Sequence, residues 1–211
     1  MNEIWNGQFS LEAYTGILDS LQELFPLSYT VGDIPQILSQ IFRPKFVIRH
    51  DVLGSMGTAL EMAKLEKEQG IRASYMINAD ASEILLEKPK LWEHLEQLKQ
   101  DNHEVGIYLD TGKTFPPRVE LEAKLQKERT RFENNLSFPV LSVVFPSSPP
   151  EADPSSFFIG GMIHAAAASL TQWSLSDLEG PWRQPDITPE EDNPDRSLLQ
   201  LLIHPHLWIT S

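Results

Sequence analysis

Two polar groupings follow strongly apolar runs. His50 and Asp51 come directly after Phe46-Val47-Ile48-Arg49, and His204 and His206 come directly after Leu201-Leu202-Ile203. A carboxylate in such a place can serve as a general base or a metal oxygen, and an imidazole as an acid, a base or a ligand. Asp51 can equally cap the turn after its strand, with His50 packed beneath it, and the spacing leaves both readings open. Pro205 interrupts regular pairing between His204 and His206. Tyr108 and Asp110 end a third run, Asn78 to Asp80 a fourth, and Phe145-Pro146-Ser147 a fifth.

Several familiar arrangements fail. Gly112-Lys113-Thr114 resembles the end of a phosphate-binding loop, but Ile107 occupies the upstream glycine position and Pro116-Pro117 interrupt the helix that should follow. His103-Glu104 begins like a zinc-protease helix, yet Ile107 stands at the second histidine and the segment reads as a strand. No nucleophile-elbow or dinucleotide-binding glycine pattern occurs. The absence of cysteine excludes disulfides and thiol nucleophiles.

The elements that must position these residues alternate. Apolar spacing predicts a helix over 9–25 and, from Asp33 and Pro35, a short helix ending near Ile41. Strands are expected over 45–49, 72–77, 103–109, 140–145 and 198–204. Helices are expected after Met56, Pro89 and Pro117, the first of them closed by Gly70. Strand–helix alternation indicates a parallel sheet, whose chemistry sits at the C-terminal ends of its strands. All five polar places lie at such ends.

The 211 residues suit a single domain, 1–211, with 1–42 as a helical extension packed on it. Thirty acidic and 17 basic side chains give a net charge of −13, which argues against nucleic acid as a partner. From Pro139 onward there are nine acidic and two basic side chains and ten of the sixteen prolines, so the last third is expected to be loop-rich. No apolar run approaches the ~20 residues needed to span a bilayer, and no lysine or arginine precedes Arg43, so neither a membrane partner nor a signal segment is expected. The expected location is the cytoplasm.

Set side by side, the motifs resemble one family. Residues 46–52 followed by Gly70-Ile71-Arg72-Ala73-Ser74-Tyr75 look like the start of a polysaccharide deacetylase (NodB-homology) domain, in the branch whose first motif is His-Asp-Val-Asp. His103-Glu104-Val105-Gly106-Ile107-Tyr108-Leu109-Asp110 is similar to that branch's His-Glu-Ile-Gly-Leu-His-x-Asp. Ile203-His204-Pro205-His206-Leu207-Trp208 is similar to its closing motif, and Ser176-Asp177 with Gly180-Pro181-Trp182-Arg183 is a weaker echo of a further segment. The resemblance spans residues 9–208 in order. It implies a distorted (β/α) barrel with extra N-terminal helices, and metal-dependent removal of acetyl groups from sugars. It makes Asp51 the base and His204 the acid, and gathers His50, Tyr108, Asp110, Trp182 and Arg183 around the substrate.

The chain departs from this pattern at the metal. Leu53 stands at the second aspartate, Tyr108 at a metal histidine and Pro146 where a third polar residue is common. Leucine and proline offer no donor, and a neutral phenol is a poor one. Three readings follow. The first is a metal-free, catalytically degenerate relative that keeps a pocket for a carbohydrate or a protein partner. The second is an active carbohydrate N- or O-deacetylase with a rearranged site, in which zinc or another divalent metal returns as cofactor. The third is a structural or assembly subunit.

Overall fold

A computed structural model of the chain describes residues 3–38, 44–78, 80, 88–112, 115–146, 157–190, 193 and 196–208. In chain order the elements are β1 (Glu3–Trp5), α1 (Leu11–Leu24), β2 (Ser28–Tyr29), a 3-10 turn (Val31–Asp33) running into α2 (Ile34–Ile37), β3 (Lys45–Val52), α3 (Met56–Glu68) and β4 (Ala73–Ile77). Next come α4 (Lys88–Gln100), β5 (Glu104–Tyr108), α5 (Arg118–Glu133), β6 (Ser142–Val144), β7 (Phe158–Ile159), β8 (Met162–His164) and β9 (Trp173–Ser176). The chain closes with β10 (Trp182–Arg183), α6 (Gln184–Ile187), β11 (Leu198–Ile203) and a 3-10 turn (Pro205–Leu207).

Local chemistry sets the helix ends. The Ser10 hydroxyl accepts from the Ala13 amide and starts α1, whose Tyr14, Ile17, Leu18 and Leu21 face inward. Ser55 caps α3 in the same way. At the far end of α3, Gly70 adopts a φ of 70° and the Ile71 amide returns to the Glu66 carbonyl at 2.8 Å. That left-handed turn is why glycine stands there.

The main sheet runs β7-β8-β6-β5-β4-β3-β11-β9, and every neighbouring pair is parallel except the β7–β8 hairpin. β2 pairs with β3 at Phe46 and Val47, and β4 takes over the same edge from Ile48 onward. The sheet curls into a half-barrel. It does not close by strand pairing among the described residues, because its outer strands β7 and β9 do not meet. A side chain bridges the gap instead: Gln200 Nε2 on β11 donates to the Ala165 carbonyl just after β8 at 3.0 Å.

The convex face carries α1, α3, α4 and α5, with Phe46, Ile48, Leu95, Leu125 and Phe132 in one large apolar cluster. The concave face holds a second cluster, in which Val31, Ile34 and Ile37 meet Val47, Met76, Val144 and Ile163. Residues 1–42 are therefore divided. α1 lies in the outer helical layer, β2 joins the sheet, and the Val31–Ile37 turn enters the concave core. There the Gly32 amide donates to Glu104 Oε2 at 2.9 Å and the Val31 amide to the Ser74 hydroxyl at 2.8 Å. The acidic last third is likewise more than loop, since it supplies β8 and β9 to the main sheet and β10 to a small antiparallel pair with β1. No helix among the described residues is long and apolar enough to cross a membrane.

Candidate functional site

Strand alternation divides β3 between two environments. Phe46, Ile48 and Val52 belong to the helical side, whereas Val47 belongs to the concave cluster. Arg49 and Asp51 share the Val47 face. Arg49 Nε donates to Asp51 Oδ1 at 3.0 Å and Nη2 to Oδ2 at 3.2 Å. Both side chains are buried. Arg49 Nη1 reaches the Gln200 Oε1 oxygen at 3.0 Å, and Gln200 goes on to the Ala165 carbonyl. The bore of the half-barrel is thus crossed by one hydrogen-bonded chain: Asp51, Arg49, Gln200, Ala165. Buried charges persist when they are paired and hydrogen-bonded, and each link here meets that condition.

Tyr108 ends β5 on the same side, packed against the concave cluster. Burial, then the negative charges of Asp51 and Asp110, push its phenol up to about 12, partly offset by Arg49. Asp110 is exposed and turns back on its own loop, its Oδ1 accepting from the Gly112 amide at 2.7 Å. Asn78, Asp80, Tyr108, Asp110, Glu128 and Phe132 border a small cavity of about 60 Å³ at the ends of β4 and β5.

His204 follows β11. Ile203 pairs in register with His50, so Asp51 and His204 leave adjacent parallel strands at the same end. The His204 Nδ1 atom lies 2.6 Å from Asp177 Oδ1, while Asp177 Oδ2 accepts from the His204 amide at 2.7 Å and from Trp208 Nε1 at 2.9 Å. Asp177 is fully buried. A carboxylate facing Nδ1 assigns the proton to that nitrogen and leaves the lone pair of the neutral ring on Nε2. This is the arrangement of an imidazole positioned for proton transfer.

The other residues implied by the resemblance stand elsewhere. His50 points to the helical side, opposite Asp51, with no exposed surface. Its Nε2 lies 2.6 Å from Glu66 Oε1 on α3, and its ring stacks on Tyr75 at 4.3 Å. Glu66 also accepts from the Tyr14 hydroxyl and, at 2.7 Å, from the Tyr75 hydroxyl. Burial opposes ionisation of Glu66. The charge and hydrogen bond of His50, with help from His103 and Tyr14, outweigh it and hold the carboxyl below its usual range. Burial, then Glu66, pushes both phenols well above theirs. His103 fastens the same layer, its Nδ1 accepting from the Ala73 amide at 3.2 Å and its Nε2 lying 3.0 Å from the Ala63 carbonyl. Burial outweighs the pull of Glu66 and lowers its proton affinity. Trp182 is buried, with its indole N–H on the Ser176 carbonyl and its ring 4.9 Å from Trp5. Arg183 is exposed on β10. Asp51, Tyr108 and His204 therefore belong to the strand ends of the half-barrel, Asp110 to their rim, and His50 and Trp182 to the helical side.

Sequence reasoning read Asp177 as part of a family-like segment but passed over Arg49, Gln200 and Glu66 as functional partners. All three carried a readable signal. Arg49 lies two residues before Asp51 and so shares its face of a strand, and Gln200 is the lone polar residue in Leu198–Ile203. Glu66 sits among Met62 and Ala63 on the buried side of α3, where a charge demands partners.

The donor set does not fit a zinc ion. Leu53 has no donor atom, Tyr108 holds its proton, and both Asp51 oxygens are engaged by Arg49. Among the described residues no three His, Asp or Glu side chains converge in a way that could hold a metal. The chain matches no protein-family model and no curated protein.

Proposed function

We propose that this is a polysaccharide-deacetylase-like protein, metal-free and catalytically degenerate, whose half-barrel mouth binds a carbohydrate in the cytoplasm. In this reading the curled sheet is a distorted (β/α) barrel of that family. The observation that carries it is the bidentate capture of Asp51 by Arg49. A general base needs an oxygen free to take a proton within hydrogen-bond reach of the reacting water. Here each oxygen accepts from the guanidinium, and taking up a proton would neutralise the carboxylate and leave the buried Arg49 without its counter-charge. The base position has become a strut. What stays at the mouth is a set of neutral or paired polar groups, Tyr108, Asn78 and the Arg49–Asp51 pair, beside the exposed carboxylate of Asp110. Such groups suit hydroxyl recognition.

The test is calorimetric titration of the purified protein with acetylated oligosaccharides in the presence of a chelator, alongside an assay for released acetate. Saturable binding with no acetate, before and after zinc addition, is expected. Zinc-stimulated acetate release would overturn the proposal.

A second reading draws on His204. Held by Asp177 at 2.6 Å, it keeps the geometry of a proton-transfer group. An active hydrolase with a rearranged site would use it, and acetate release that is lost in His204→Asn would identify that enzyme.

A further inference from the structure

The turn between β1 and α1 is built around the pair Asn6-Gly7. Gly7 has a φ of 89°, a left-handed value that favours glycine, and open space lies where its Cβ would stand. Asn6 is exposed, and its Oδ1 accepts from the Gln8 amide at 2.9 Å, which closes an Asx turn over the Gly7 peptide. Both flanks hold that turn. The Trp5 indole N–H donates to the Gln8 carbonyl at 2.7 Å, and its ring packs 4.9 Å from Trp182 and 5.7 Å from Trp208. On the other side Ser10 starts α1. Asn6 and Gln8 border an open cavity of about 340 Å³ shared by β1 and α1, so water reaches them.

We infer that Asn6 is a site of spontaneous covalent modification, in which the Gly7 nitrogen displaces the Asn6 side-chain amide. The inference is independent of what the strand ends bind. An Asx turn folds the side-chain carbonyl back over the next peptide, which brings Cγ toward the Gly7 nitrogen. That nitrogen gives up its proton to solvent base and bonds to Cγ. Negative charge gathers on Oδ1, where the Gln8 N–H already donates, as a donor placed for an oxyanion must. The Cγ–Nδ2 bond then breaks, and the nitrogen takes a proton from water and leaves as ammonia. The product is a five-membered succinimide. Water opens it at either carbonyl to aspartate or isoaspartate, with no change in oxidation state. Every other asparagine precedes a residue whose side chain crowds the attacking nitrogen or, at Asn193, a proline with no N–H. The residues that the turn demands are therefore the pair that reacts. The isoaspartyl product carries an extra main-chain carbon beside the Trp5 anchor, and either product adds a charge to a cavity bordered by Glu3 and Glu12.

The experiment incubates the full chain in mildly alkaline buffer and follows peptide masses over time. Exchange of the amide for a carboxylate adds about 1 Da. The gain should appear first at Asn6, with isoaspartate at the same residue detected by an isoaspartyl methyltransferase. It should quicken as pH rises, because the attacking nitrogen must lose its proton. Asn6→Ser keeps an oxygen acceptor for the turn and removes the leaving group, so that variant should show neither the gain nor isoaspartate at this position. The Gln8 amide sets a second expectation. With its N–H on the oxyanion, the folded chain should convert at least as fast as the same chain unfolded in guanidinium chloride, where the turn is lost. A turn that merely immobilised Asn6 would slow the reaction on folding. No gain at Asn6 in the folded chain, an earlier gain at another asparagine, or faster conversion in the unfolded chain would overturn the inference.

Discussion

Arg49 and Asp51, two residues apart on β3, form a bidentate ion pair inside the bore, Nε to Oδ1 at 3.0 Å and Nη2 to Oδ2 at 3.2 Å. The pair turns a strand-end carboxylate into part of the scaffold. Removing only one partner leaves a buried charge without compensation, so Arg49→Met should cost about 3–5 kcal/mol in a urea unfolding experiment. The double variant Arg49→Met with Asp51→Leu should recover most of that loss. Equal losses in the single and double variants would mean that the pair is not a unit.

Gln200 is the second strut. Its side chain joins Arg49 to the Ala165 carbonyl across the open side of the half-barrel. Gln200→Leu fits a continuously apolar strand by pattern, yet it strands an arginine N–H and a carbonyl. The expected cost is about 1–3 kcal/mol, read from the shift in denaturation midpoint at constant m-value.

Stability should fall as pH drops from about 6.5 to about 4, the interval between the ordinary value for histidine and the lowered value of His164. In that window the unfolded chain binds the proton and the folded chain does not, so acid favours unfolding. The contribution is fully present above the unfolded value and is lost as pH falls through the folded one. Its size is on the order of 2–3 kcal/mol. His103, also lowered, acts in the same direction. His164→Phe should flatten the curve across this range, and chemical denaturation at several pH values measures it. A variant curve parallel to that of the parent would contradict the assignment.

Gly106 on β5 faces Met76 and Ser142 so closely that a methyl group there would overlap both side chains. Gly106→Ala should therefore destabilise by about 1–3 kcal/mol. A neutral result would mean that the concave packing is looser than described.

Much of the scaffold was legible because its signals are local. The run Lys45–Val52 is apolar and β-branched, Gly70 closes α3, and the Pro117 position opens α5. Val31–Ile37 was legible as a short helix but not as a filler of the concave face, since its position depends on Ser74 and Glu104, some forty to seventy residues away. The two-residue strands β7 and β10 carry no periodicity to read. At the site, the sequence located the strand ends but not the directions of side chains. His50 and Asp51 read as one polar pair, yet successive residues on a strand face opposite ways, and one entered the helical layer with Glu66 while the other entered the bore. The capture of Asp51 by Arg49 follows from that same two-residue period. The tie between His204 and Asp177 joins residues 27 positions apart and needs the fold to appear.

If the proposed function holds, Asp51 is a strut held by Arg49 and the chain holds no tightly bound zinc. Calorimetric titration of zinc into the unmodified protein, with elemental analysis of the protein as purified, tests it most directly. No tight binding and far less than one equivalent of zinc are expected, with measurable affinity appearing only in the double variant Leu53→Asp with Tyr108→His. One equivalent of tightly held zinc in the unmodified chain, together with zinc-dependent acetate release, would contradict it.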